Sequence, residues 1–116
     1  MMITKRKLFN NIKSYTKKDF FFKKDEVKTI IRWINQVKKR RNKLFVEYRK
    51  KSWNAHANKI YCIDDYDEGI SWMAKATNDA IQEMRINFPN SFTFISEKDT
   101  EILLNSIIMG ILLGEY

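Results

Sequence analysis

The run VKTIIRWINQVKKRRNKLFVEY, residues 27–48, carries the most legible pattern in the chain. Its apolar residues Val27, Ile30, Ile31, Ile34, Val37, Phe45 and Tyr48 recur at the three-to-four spacing of an amphipathic helix. At about 100° per residue they occupy an arc of about 120°, the width of a face packed on a core. No Gly or Pro interrupts the run, and it continues through Trp53 toward Ala57. A helix of about 30 residues is about 45 Å long, longer than a small domain is wide. The spacing therefore predicts either a kink near Ser52-Trp53-Asn54 or an end that protrudes.

The rest of the chain also reads as helical, because three Gly and one Pro leave few breakpoints. Residues 4–16 form a short helix with Leu8, Ile12 and Tyr15 on one side. The segment from Lys17 through Phe20-Phe21-Phe22 reads as a connector pinned to the core by its rings, with Asp25 capping the long helix. A third helix runs over 67–88 with Ile70, Met73, Ala80, Ile81 and Met84 on its core side, and Pro89 ends it. Ser96-Glu97-Lys98-Asp99 resembles a capping box that opens a last helix, apolar nearly all round from Ile102 to Leu113. Such a helix belongs in the middle of a bundle or in a homodimer interface. Short β-prone patches at 59–63 and 91–95 allow a minor two-stranded ribbon. The fold class expected is mainly α: a small bundle of about four helices with one long basic amphipathic helix.

With 116 residues the chain is expected to form one domain over 1–116. Hydrophobic residues at 44% and aromatics at 14% exclude a disordered chain. The single Cys62 and single His56 exclude a disulfide framework and a zinc cage built from this chain alone. The apolar run Ile102–Leu113 is too short for a membrane span of about 20 residues, and no export signal is legible near Lys5-Arg6-Lys7. A cytoplasmic location is expected.

The net charge of +8 is unevenly placed. Residues 1–59 hold 19 of the 22 Lys and Arg against four of the 14 acids, a net of +15, and residues 60–116 carry −7. Such a division serves either a phosphate-bearing partner or attraction between two halves of one fold. The long helix separates these uses by angle. Lys28, Arg32, Lys39, Lys43 and Lys50, spaced 4, 7, 4 and 7, fall within about 60° of one another opposite the apolar arc. Arg40 flanks this ridge and Lys51 extends it. From Lys28 to Lys50 the ridge is about 33 Å long, and a cationic rod of that length suits a DNA or RNA backbone. Lys38 and Arg41 project instead from the edges of the apolar arc, where they either snorkel or, as the favoured reading has it, meet Asp64, Asp65, Asp67 or Glu68. Of the three tryptophans, Trp53 lies nearest the basic tract and is the one placed to stack on bases.

Arg49 and His56, with six residues between them, are the weaker candidates for catalysis. His56 is the only side chain ready to act as a general base near neutral pH. The pair resembles the R-x(4–6)-H motif of HEPN-type ribonucleases, small helical proteins that often dimerise. The resemblance implies that Arg49 binds an RNA phosphate and His56 acts as acid and base. It is confined to this pair, and Lys50 stands where that family usually has a polar uncharged or acidic residue. The acids at 64–68 fit a helix first turn better than a metal loop, since no EF-hand register is present. No cofactor motif is visible. The expected function is non-enzymatic nucleic-acid binding by an accessory protein. The alternative is a protein-binding inhibitor, immunity or assembly factor, and the third reading is the ribonuclease.

Overall fold

A computed structural model describes residues 3–57 and 65–116, with side chains over 3–51 and 72–116. Among them the chain forms four helices, α1 (Lys5–Thr16), α2 (Lys24–Ala57), α3 (Asp65–Asn87) and α4 (Glu97–Leu112). The mainly helical bundle expected from the spacing is the fold observed.

Each helix starts and stops where local chemistry satisfies its free backbone groups. The Thr4 hydroxyl accepts from the Lys7 N–H at 3.1 Å and starts α1. Lys17 ends it in the left-handed region (φ 57°), its N–H donating to the Lys13 carbonyl at 2.9 Å. At the start of α2, Asp25 is not the cap. Glu26 reaches back to accept from the Lys23 N–H at 3.1 Å, while Asp25 sits in the first turn, where a carboxylate complements the helix dipole. Ser96 caps α4 as its sequence predicts, accepting from the Asp99 N–H at 3.1 Å. Pro89 follows the end of α3.

Helix α2 runs unbroken for 34 residues, about 51 Å of rise, in a molecule measuring 54 × 27 × 26 Å. It is the spine of the fold, and its length exceeds the width of the body. Helix α3 packs along α2, and α4 packs on α1 and α3. The core between them is formed by Leu8 and Ile12 of α1, Ile30, Ile34 and Val37 of α2, Ala80 and Ile81 of α3, and Leu103, Leu104 and Ile107 of α4. The buried arc of α2 is rotated from the expected one. Trp33 and Leu44 are buried, whereas Ile31 and Phe45 are only partly covered, because α3 lies on the side that also carries Arg40 and Tyr48.

The β ribbon is not formed over 91–95. That stretch is a series of turns, held by the Ser91 N–H on the Phe88 carbonyl (3.3 Å) and the Ile95 N–H on the Phe92 carbonyl (3.4 Å). Its rings pack on other rings instead of alternating across a pleat: Phe92 meets Trp33 at 5.2 Å and Phe94 meets Phe22 at 5.9 Å. Residues 59–63 lie outside the described residues. The aromatic connector is only partly pinned: Phe22 is buried and Phe20 half-buried, but Phe21 is 92% exposed.

Beyond α4 the chain turns back, and the Tyr116 ring is buried against Gly110. A Cβ at Gly110 would stand 2.3 Å from that ring, so glycine permits the close approach. Among the described residues no helix is long and apolar enough to cross a membrane.

Candidate nucleic-acid interface

The geometry of α2 sorts the cations of the basic half by direction. Lys28, Arg32, Lys39, Lys43 and Lys50 are all exposed, and none forms an ion pair with a carboxylate of the described residues. Their flanks mix amides with charged groups, and exposed Glu47 lies one turn from Lys43 and Lys50. Lys28, Arg32 and Lys39 border a shallow groove completed by Ile31, Asn35 and Gln36. A second groove, between α2 and α3, is bordered by Gln36, Lys39, Lys43 and Asn87 over Met84, with the paired Arg40 and Glu83 also in its lining. Amide side chains beside cations supply the neutral donors that accompany Lys and Arg at phosphates. Lys51 is exposed too, but at about 100° per residue it points away from the line of the other five.

Arg40, which flanks the ridge, differs from them in having an acidic partner. It forms a forked pair with Glu83 of α3, Nε to Oε2 at 2.6 Å and Nη2 to Oε1 at 3.2 Å. Hydrogen bonding to Arg40 holds the Glu83 carboxyl below the usual carboxylate range, and the same bond raises the guanidinium. One turn or two further on, the Tyr48 hydroxyl donates to Asp79 at 2.6 Å, which pushes the phenol up to about 12. Lys75 lies 4.6 Å over the Tyr48 ring. Lys18 pairs with Asp99 and Arg85 with Glu101, which ties the connector and α3 to the start of α4. Part of the charge division is thus consumed inside the fold, by Arg40–Glu83 and Lys18–Asp99 across the two halves.

Lys38 and Arg41 are partly buried and bond to described groups near them. Lys38 Nζ donates to the Tyr116 carbonyl at 2.6 Å, and Arg41 donates from Nε and Nη2 to Asn42 Oδ1 at 3.1 and 2.8 Å. Burial lowers both cations, with Arg41 and Lys7 adding repulsion at Lys38. Asp64, and the side chains of Asp65, Asp67 and Glu68, lie outside the described residues.

Arg49 is exposed on α2; the side chains of Trp53 and His56 lie outside the described residues. Among the described residues no group of three or more His, Cys, Asp or Glu is placed to hold a metal ion.

Two features escape sequence reading. Phe21 stands out from an aromatic cluster otherwise folded away, and identical neighbours in Phe20-Phe21-Phe22 give no signal for which ring is left outside. The Tyr116–Gly110 contact had a faint one, a lone Gly inside an apolar helix, which marks a close packing partner. Comparison of the chain with protein-family models, with curated proteins and with solved structures finds no match.

Proposed function

We propose that the protein is a small non-enzymatic accessory factor that grips a nucleic-acid backbone through the outward ridge of α2. Lys28, Arg32, Lys39, Lys43 and Lys50 are the phosphate contacts, and Lys51, on another face, adds only to the local positive charge. The observation that carries the reading is the sorting of charge on one helix: cations facing α3 or the chain end have partners, and the outward five have none among the described carboxylates. A line of unneutralised cations about 33 Å long attracts a polyanion and releases its counterions on contact. Backbone contacts of this kind carry affinity with little sequence preference.

The test is fluorescence anisotropy with labelled duplex and single-stranded oligonucleotides of unrelated sequence at low salt. Within each class, wild-type protein binds oligonucleotides of different sequence with similar affinity, and Lys39→Glu with Lys43→Glu weakens binding at least tenfold. Unchanged binding by the double variant refutes the ridge.

A protein-binding role is favoured by one separate observation. Met109, Leu112 and Leu113 at the end of α4 are 43%, 37% and 61% exposed, an apolar edge of the kind that a partner or a second copy covers. Sedimentation of the purified protein distinguishes a dimer from a monomer, and a Leu113→Glu variant tests whether this edge is responsible.

A further inference from the structure

The connector between α1 and α2 ends in three phenylalanines with different fates. Phe22 is buried, stacked on Phe9 (centroids 5.8 Å apart) and on Phe20 (5.5 Å), and edge-on to Phe94 (5.9 Å). Phe20 is half-buried beneath Lys18 Nζ, 5.3 Å from its centroid. Phe21 is left 92% exposed. Together with Phe9, Lys5, Lys23 and Glu26, these three rings line an open groove at the N-terminal end of α2. Lys5 Nζ stands 5.7 Å over the Phe9 ring, and Lys17 and Lys24 are exposed nearby in sequence. Glu26 is the one acid lining the groove, and its carboxylate already accepts the Lys23 N–H.

A ring this exposed is poorly used by the fold, and its setting has a particular chemistry. The groove offers aromatic faces at its floor and wall, and ammonium groups at its rim. That combination matches an unpaired nucleobase, whose π face stacks on a phenyl ring while its neighbouring phosphates meet lysines. A duplex offers no free base face to such a groove. The ridge begins at Lys28, within about 8 Å along the helix axis of the groove's Lys23 and Glu26. We infer that Phe21 is a stacking platform for an unpaired base, which makes single-stranded nucleic acid the preferred ligand of the ridge. This inference rests on the ridge reading of the preceding subsection.

The experiment compares wild type, Phe21→Ala, Phe21→Trp and the double variant Lys39→Glu with Lys43→Glu. Three labelled probes are used at fixed salt: a 15-mer of thymidine, an abasic strand of the same length, and a hairpin duplex. Loss of one base–aromatic stack costs about tenfold in affinity. Phe21→Ala is therefore expected to weaken the thymidine strand about tenfold, leaving the abasic strand and the duplex unchanged, with Phe21→Trp restoring the loss. Far-ultraviolet circular dichroism checks that the exposed substitutions leave the fold intact. Equal affinity of wild type and Phe21→Ala for the thymidine strand overturns the platform, while loss of all three probes in the double variant still upholds the ridge. No binding of any probe by wild type overturns both. If Phe21→Ala instead releases the protein from anionic vesicles of phosphatidylserine and phosphatidylcholine and leaves thymidine binding unchanged, the ring serves a lipid surface and the inference fails.

Discussion

Helix α2 presents two differently treated sets of cations on one continuous backbone. On the side facing α3, Arg40 is forked onto Glu83 and Tyr48 donates to Asp79. On the outward side, five cations along 23 residues meet no carboxylate of the described chain. The contrast separates what a basic half does for folding from what it leaves for a partner. Exposed lysines repel one another and add little to stability, so a continuous line of them weakens the helix slightly unless something anionic lies along it. Paired cations, by contrast, act as latches between elements distant in sequence, such as Lys18–Asp99 and Arg40–Glu83.

This contrast makes graded predictions for stability. The inner face carries the largest effect. Ile34→Ala, at a fully buried site in the N-terminal third of α2, is expected to lose about 2–5 kcal/mol in chemical denaturation. A smaller effect appears at high pH. The Tyr48 phenol is raised to about 12 by its bond to Asp79, so the folded state holds this proton more tightly than the unfolded chain, whose tyrosines titrate near 10. That contribution is fully present below pH 10 and is lost as the pH rises through 12. Denaturation midpoints of wild type should therefore fall more steeply between pH 10 and 12 than those of Tyr48→Phe. Tyr116, raised to about 12 by burial, supplies a second share that the variant keeps.

Next comes Arg40→Gln. Both partners of the Arg40–Glu83 pair are about 40% exposed, so solvent screening keeps the loss far below that of Ile34→Ala. The smallest effect belongs to the outward face. Lys39→Glu with Lys43→Glu should shift stability by no more than about 0.5 kcal/mol by the same denaturation assay. A ridge reversal that unfolds the protein would show that these lysines serve the fold.

The architecture was legible because its strongest signals are local and periodic. The spacing of Val27, Ile30, Ile34 and Val37 required a long helix, and the Ser96 capping box and Pro89 marked boundaries that the structure keeps. Rotation of the buried arc toward Trp33 and Leu44 was not legible, since it depends on where α3 comes to lie. Turns replaced the strand expected over 91–95 for a related reason: β-prone residues form a strand only beside a partner strand, and Phe92 finds Trp33 first. Within the candidate interface, the angular line of Lys28, Arg32, Lys39, Lys43 and Lys50 followed from the sequence alone. The pairing of Arg40 did not, because Glu83 is 43 residues away and only the packing of α3 brings it near.

The salt dependence of oligonucleotide affinity tests the account most directly, measured on wild type, on Lys39→Glu with Lys43→Glu, and on Arg40→Gln with Lys18→Gln. Five phosphate contacts on a duplex give a slope of log affinity against log salt of about −4 to −5. The account predicts that slope for wild type and for the variant lacking paired cations, and a slope shallower by about 2 for the ridge variant. Equal slopes for wild type and the ridge variant, or a shallower slope only when Arg40 and Lys18 are replaced, would contradict it.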